Sequence, residues 1–136
     1  MSMAGPTSIF DIAGRAMSAQ MVRMNAAASN IANAGSVAGS EEDAYRPLRP
    51  VFRETLNAAR TASTVEVEAV RRSDAAPVRQ HDPGHPLADE NGDIWAAPVD
   101  ENAEMIELLE ASRQYRNMVE ALSTAKQLLL ETVRMK

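Results

Sequence analysis

The chain has 136 residues, and its composition already excludes several classes of protein. It carries 14 Lys and Arg against 19 Asp and Glu, a net charge of −5 that argues against nucleic acid or an anionic membrane as the main partner. It contains no cysteine, which excludes disulfides, thiolate metal sites and cysteine nucleophiles. No run reaches the roughly 20 apolar residues of a membrane span, and the first residues do not have the pattern of a cleaved secretory signal.

The supply of core-forming side chains is small for this length. Of 61 apolar residues 24 are alanine, which leaves 37 large apolar side chains in the whole chain. Twelve of these lie in residues 1–46, 11 in 47–98 and 14 in 99–136. Because alanine contributes little free energy on burial, we expect one domain whose core is completed by neighbouring molecules.

The first predicted element is a helix from about Ser8 to Asn33. Ser8 can cap it, with Asp11 at the third helical position completing a capping box. Small residues on the same side of this helix predict that another helix can approach closely. Large apolar side chains recur at every seventh position and define a seam, the line along which this helix is predicted to pack. They are Phe10, Met17, Met24 and Ile31.

The middle of the chain predicts a loop followed by short strands. Residues 34–43 are rich in Gly, Ser and acids, as in a solvated loop, and residues 46–53 contain two prolines, which favours an extended edge segment. Residues 64–70 alternate between apolar and charged, the pattern of a half-buried strand. Asn91 and Gly92 predict a tight hairpin turn.

The last predicted element is a second long helix, from Asp100 or Glu101 to Met135. Acids dominate its first third and basic residues its end, which matches the helix dipole. Further apolar residues outside its seam give this helix a second apolar side. The seam itself repeats every seven residues: Leu108, Tyr115, Leu122 and Leu129.

These elements predict a mainly α fold. Two long terminal helices would pack as a coiled-coil-like pair, with a small β-hairpin and loop insertion between them. The predicted boundaries are residues 1–36 for the N-terminal helix, 37–98 for the insertion and 99–136 for the C-terminal helix.

The sequence does not predict a catalytic, cofactor or metal site. His81 and His85 have a spacing of four, but Asp82, Pro83 and Gly84 between them exclude a regular helix that would place both rings on one face. The acids at 100–110 fit the start of a solvated helix better than a pair of catalytic carboxylates. The protein is therefore expected not to be an enzyme and to need no cofactor.

Several separated motifs resemble the flagellar axial proteins, the family of rod and hook subunits, and within it the proximal-rod branch. The core of the resemblance is Ser-Asn-Ile-Ala-Asn at residues 29–33. The segment 82–92, Asp-Pro-Gly-His-Pro-Leu-Ala-Asp-Glu-Asn-Gly, and Ala-Ser-Arg-Gln-Tyr at 111–115 are similar too. The resemblance covers essentially residues 7–136.

This resemblance implies a structural subunit of the proximal rod of the flagellar basal body. Such subunits cross the periplasm as a hollow drive shaft and are exported through the flagellar type III apparatus without a cleaved signal. The implied partners are the rod proteins FlgB, FlgF, FlgG and FliE and further copies of the same chain. An alternative class is a cytosolic helical chaperone or adaptor for export substrates.

The residues expected to form helix packing or subunit interfaces are the two seams and two motif asparagines. The Asn30 amide would bond a neighbouring subunit or be solvated, and Asn33 would do the same or end its own helix. The complete set is Phe10, Met17, Met24, Asn30, Ile31, Asn33, Leu108, Tyr115, Leu122 and Leu129.

Overall fold

The computed structural model describes residues 8–56 and 62–135. Within them the chain forms two helices and five strands, which make two antiparallel sheets. The elements in chain order are α1 (Ile9–Ala32), β1 (Val37–Ala38), β2 (Leu48–Leu56), β3 (Ser63–Arg72), β4 (Val78–His81), β5 (Asp93–Ala96) and α2 (Glu101–Arg134).

Both helices begin at the predicted caps. The Ser8 side chain accepts a hydrogen bond from the Asp11 N–H at 3.1 Å, and the Asp11 carboxylate accepts from the Ser8 N–H at 3.2 Å. Asp100 caps α2 by accepting from the Ala103 N–H at 3.2 Å. These contacts confirm the predicted starts, because each satisfies backbone donors that the first turn leaves unpaired.

The two helices run antiparallel along their shared length. Arg23 pairs with Glu107, while Met17, two turns earlier in α1, shares a groove with Tyr115, two turns later in α2. Extending this register places the start of α1 near Leu122, so about the last 12 residues of α2, roughly 20 Å of helix, extend beyond α1. We call residues 123–134 the α2 overhang.

The larger β unit is a hairpin of β2 and β3. It pairs Leu48 with Arg72 at its base and Leu56 with Ser63 at its far end, and a bulge leaves Glu68 without a partner residue in the register. The hairpin runs along α1: Leu48 lies beside Ala26, and Arg15 pairs with Glu66 further along. Helix α1 therefore lies between α2 on one side and the hairpin on the other.

The smaller sheet, in the order β1-β5-β4, joins the loop after α1 to the loop before α2. Val37 pairs with Ala96, and the Ala97 N–H donates to the Ser36 carbonyl at 3.1 Å. Ile94 of the central strand is 4% exposed. This sheet holds the end of α1 and the start of α2 next to each other.

The mainly α prediction is wrong. Of the described residues 47% are helical and 24% lie in strands, and the strands form two sheets instead of one small hairpin. Residues 47–98 hold only 11 of the 37 large apolar residues. Strands need few such residues here, because backbone pairing satisfies their polar groups and the hairpin lies against a face of α1 that contains several alanines.

Individual strand predictions had mixed outcomes. The predicted strand at 64–70 is confirmed as part of β3, and the extended segment 46–53 is confirmed as the start of β2. The chain does turn at Asn91-Gly92, where the Gly92 N–H donates to the Asp89 carbonyl at 3.0 Å. The predicted tight hairpin is wrong, because an 11-residue loop, 82–92, joins β4 to β5. Gly92 has φ of +78° at the end of that loop, the conformation that favours glycine.

Alanine dominates the buried core. Among the described apolar residues that are buried, Ile94 has the only large side chain, and the others are Ala13, Ala19, Ala26, Ala27, Ala44, Ala97 and Ala111. Many large apolar side chains of α2 remain exposed, including Ile106, Leu109, Leu128 and Val133. In the part of the chain that the structure describes, neither helix combines the length and apolar character that crossing a bilayer requires.

Candidate functional site

The motif at residues 29–33 lies at the last turn of α1, where the helix meets the base of the β2–β3 hairpin. Asn30 is 0% exposed there. Its Nδ2 donates to the Leu48 carbonyl at 3.0 Å, and its Oδ1 accepts from the Leu48 N–H at 2.8 Å. The amide thus pairs with both backbone polar groups of one residue, as a neighbouring strand would.

Tyr45 completes the hydrogen bonds of this amide. Its hydroxyl donates to Asn30 Oδ1 at 2.8 Å and lies 3.1 Å from the Ser29 Oγ. The guanidinium of Arg72 sits 5.3 Å from the centre of the Tyr45 ring, within the range of a cation–π contact. The loop before β2 is therefore held from both sides.

Asn33 ends α1. Its backbone has φ of −106° and ψ of 6°, its N–H donates to the Ser29 carbonyl at 3.1 Å, and its Nδ2 donates to the same carbonyl at 2.8 Å. Ser36 then donates to the Asn33 carbonyl through both its hydroxyl, at 2.8 Å, and its N–H, at 3.1 Å. The motif therefore satisfies the carbonyls at the helix end.

These contacts decide between the alternatives for the two asparagines. For Asn33 the helix-ending alternative is confirmed. For Asn30 both alternatives are wrong, because the amide is neither solvated nor free for a neighbour and its bonds lie within the chain. The sequence does not indicate Tyr45 and Leu48 as the partners of Asn30. They lie 15 and 18 residues away in the chain, and no local sequence pattern links residues so far apart.

Ion pairs connect the same elements. Arg23 Nε lies 2.7 Å from Glu107 Oε1, between α1 and α2, and Arg49 Nη1 lies 2.5 Å from Glu104 Oε1, between β2 and α2. The Arg15–Glu66 pair adds a charged contact between α1 and β3. The positions of these partners follow from the tertiary structure and have no sequence periodicity.

Two carboxylates have pKa values below their usual range. The hydrogen bond from Arg53 is the main cause for Glu66, whose pKa is lowered further by the charge of Arg15 and a hydrogen bond from Thr55, against the opposing effect of desolvation. Hydrogen bonds from Gln114 and then Arg113 lower the pKa of Glu110. Both groups are therefore stabilised as anions in the folded chain.

The predicted seam residues occupy the helix surfaces. Met17 and Tyr115 line one groove, together with Gly14, Ser18 and Met21. Phe10 is 39% exposed and Leu129 is 52% exposed, whereas six seam residues are half-buried: Met17, Met24, Ile31, Leu108, Tyr115 and Leu122. Their role as subunit contacts stays a prediction.

The two histidines make separate contacts. His81 Nδ1 is 3.0 Å from Asp93 Oδ1 across the β4–β5 pair, and His85 Nδ1 accepts the Leu87 N–H at 3.0 Å inside the 82–92 loop. Within residues 8–56 and 62–135, no three side chains of the metal-ligating types come close enough to hold an ion. His81 therefore contacts a side chain of the paired strand, and His85 holds the loop backbone.

The fold and the motif together describe a structural protein, with two long antiparallel helices, an alanine core and large apolar side chains left on the surface. Comparison with known proteins agrees with this class. Residues 10–39 match the family described as flagella basal body rod protein. A relative from Salmonella typhimurium, named flagellar basal-body rod protein FlgC, is 41% identical over 126 residues, which cover 93% of this chain and 94% of the relative.

Other relatives carry the same name. One from Escherichia coli O157:H7 is 44% identical over 128 residues, with the same coverage of both chains, and one from Agrobacterium fabrum is 29% identical over 90% of this chain and 88% of its own. The chain belongs to the FlgC family of flagellar basal-body rod proteins, and it is a structural subunit of the rod. The alternative of an export chaperone is not supported.

Proposed function

We propose that the chain is a non-enzymatic subunit of the proximal rod, which crosses the periplasm as a hollow shaft. It assembles with FlgB, FlgF, FlgG and FliE and with copies of itself. The proposal goes beyond family membership by naming the partners, the location along the rod and the mechanism.

The observation that carries this proposal is the α2 overhang. Leu128, Leu129, Leu130 and Val133 are 51–70% exposed there, beyond the end of the partner helix. An apolar surface of this kind on a polar chain is typical of a protein interaction site. Burying it against neighbouring helices would supply the core that the single chain lacks.

The geometry suits a helical assembly. The overhang and the opposite end of the molecule are different surfaces, so a contact between them is head-to-tail and generates an open helix unless the rotation closes a ring. Stacked subunits with helices close to the axis leave a channel and resist twisting. Torque would then pass from subunit to subunit through these interlocked helices.

The small core also fits export in an unfolded state through the type III apparatus. Among the described apolar residues that are fully buried most are alanine, and Ile94 has the one large side chain. The free energy opposing unfolding is accordingly low, since alanine contributes far less to it than larger side chains. Assembly would then supply the missing stability.

Within this proposal the three predicted segments have separate roles. The helical part, α1 and α2 within the predicted segments 1–36 and 99–136, meets neighbours through Phe10, Met24, Leu122 and Leu129. Residues 37–98 form the insertion, which the buried Asn30 amide fixes to α1.

Complementation tests this function. The chain is expressed in a flagellated bacterium that lacks its own FlgC, and detergent-resistant basal bodies are purified and analysed. We expect the chain in the basal-body fraction and swimming to return. Its confinement to the cytosolic fraction, with an otherwise intact export apparatus, would overturn the proposal.

A further inference from the structure

Asn91 is the only asparagine of the chain that is followed by glycine. In such a pair the backbone nitrogen of the second residue can attack the side-chain amide of the first, because glycine has no Cβ to obstruct the approach. Asn91 is exposed, and its side chain has no hydrogen bond among the described residues. Its amide carbon is therefore open to attack unless the backbone prevents the reaction.

This reaction is deamidation, and its only co-reactant is water. A bond forms between the Gly92 nitrogen and Asn91 Cγ, and the bond between Cγ and Nδ2 breaks. The Gly92 amide proton leaves with Nδ2 as ammonia, which leaves a succinimide ring. Water then opens the ring at either carbonyl and gives aspartate or isoaspartate at position 91.

Residues 89–92 form a turn, the Asp89 turn, that holds the attacking nitrogen. The Gly92 N–H donates to the Asp89 carbonyl at 3.0 Å. Asp89 Oδ1 accepts from the N–H groups of Asn91 and Asp93, both at 2.9 Å. The Gly92 nitrogen must lose its proton and turn toward Asn91 Cγ before it can attack, so its bond to Asp89 has to break first.

The other side of Gly92 is held as well. Its carbonyl accepts from the Asp82 N–H at 2.9 Å. A Cβ placed on Gly92 would lie 3.0 Å from Pro83 Cγ and 3.1 Å from His81 Cε1. Isoaspartate at position 91 would add one backbone carbon directly before Gly92. Because the space beside Gly92 is already filled, the loop cannot take up that atom without losing these contacts.

We propose that Asn91 is a deamidation site that the Asp89 turn closes in the folded chain. While the 82–92 loop is intact, the Gly92 nitrogen is a hydrogen-bond donor and not a nucleophile. The site reacts in the unfolded chain, or when the loop opens locally. Isoaspartate formed there prevents the loop from closing again, so a modified chain does not regain the native 82–92 loop.

Mass spectrometry of the isolated chain tests this proposal. The chain is incubated at mildly alkaline pH, either folded or unfolded in guanidinium chloride, and digested with trypsin. The fragment between Arg79 and Arg113 contains both Asn91 and Asn102, and its fragmentation assigns the change from amide to acid to one of them. We expect Asn91 to react at least about tenfold more slowly in the folded chain than in the unfolded chain.

Asn102 is the internal reference, because Ala103 follows it and a Cβ there obstructs the attack. In the unfolded chain Asn91 should react faster than Asn102. Equal rates at Asn91 in the folded and unfolded chains would overturn the proposal, and so would an unfolded chain in which Asn91 reacts no faster than Asn102.

Variants at Asp89 separate the turn from folding in general. Asp89→Ala removes the Oδ1 acceptor of two N–H groups, and we expect Asn91 in the folded variant to react about tenfold faster than in the parent. Asp89→Asn keeps an oxygen acceptor and should react like the parent. Glu90→Ala is the matched control, because Glu90 is exposed and its side chain has no hydrogen bond among the described residues. A parental rate in folded Asp89→Ala would refute the role of the turn.

The fluorescence of Trp95, in β5, reports whether each variant folds. If Asp89→Ala does not fold, hydrogen exchange of the Gly92 N–H in the parent decides. Deamidation should accelerate together with that exchange as denaturant is added, and fast deamidation while the N–H stays protected would contradict the closed turn.

The product supplies a last readout. Chains that have reacted in guanidinium chloride are refolded, and we expect no isoaspartate at position 91 in the fraction that regains the native Trp95 emission. Isoaspartate in that fraction would contradict the loss of the loop.

Discussion

The side-chain amide of Asn30 hydrogen-bonds both backbone polar groups of Leu48, at 3.0 Å to the carbonyl and 2.8 Å from the N–H. Since Leu48 is the first residue of β2, this contact fixes where the hairpin begins relative to α1. The Ser-Asn-Ile-Ala-Asn segment at 29–33 thus acts inside the subunit, where it joins the insertion to the helix that it follows.

Replacing Asn30 by Ala should destabilise the subunit itself. The change removes the amide's hydrogen bonds to Leu48 and Tyr45 in a fully buried position, and we expect a loss of about 2–4 kcal/mol. Urea unfolding of the isolated chain measures it. Asn25→Ala, on an exposed position of the same helix, should change stability by less than about 0.5 kcal/mol, and equal effects of the two variants would contradict the structural role.

The Tyr45 hydroxyl should contribute less than the amide. In Tyr45→Phe the Asn30 Oδ1 keeps its bond from the Leu48 N–H, so we expect a loss of only about 0.5–1.5 kcal/mol. Tyr115→Phe is the matched control, because the Tyr115 hydroxyl has no hydrogen bond among the described residues. A double variant with Asn30→Ala should lose less than the sum of the two, and strict additivity would mean that the residues act independently.

Glu66 should make stability depend on pH in the acid range. Its folded pKa lies below its usual 4.5, so its contribution is present above that pH and is lost as the pH falls through the folded value. We expect Glu66→Gln to unfold at a lower temperature than the parent near neutral pH, with the difference shrinking below about pH 4.5. A difference that grows on acidification would refute this, and added salt should reduce it because the pairs are exposed.

The α2 overhang should matter for assembly and not for folding. Leu129 is 52% exposed, so Leu129→Glu should leave the unfolding temperature of the isolated chain nearly unchanged. In basal bodies we expect the variant to be absent, because a charge would be buried in an apolar contact. Gln127→Glu adds the same charge on roughly the opposite side of the helix and should assemble. Normal incorporation of Leu129→Glu would exclude the overhang as a contact.

The secondary structure of this protein was largely predictable because its signals are local. Ser8 with Asp11 and Asp100 mark the helix starts through hydrogen bonds that span three residues, and the alternation at 64–70 marks β3. Seven-residue spacing also located both helices. Such patterns depend only on residues that are close together in the sequence, so they can be recognised without the tertiary structure.

The sequence alone determined the two long helices, the main strands and the small supply of large apolar side chains. Only the tertiary structure decided that the side of α1 turned away from α2 is covered by the chain's own hairpin and that Asn30 is buried. An alanine face does not specify what covers it, since a helix and a sheet fit it equally well. An amide can bond any backbone within reach, so its partner is set by contacts between residues distant in the sequence.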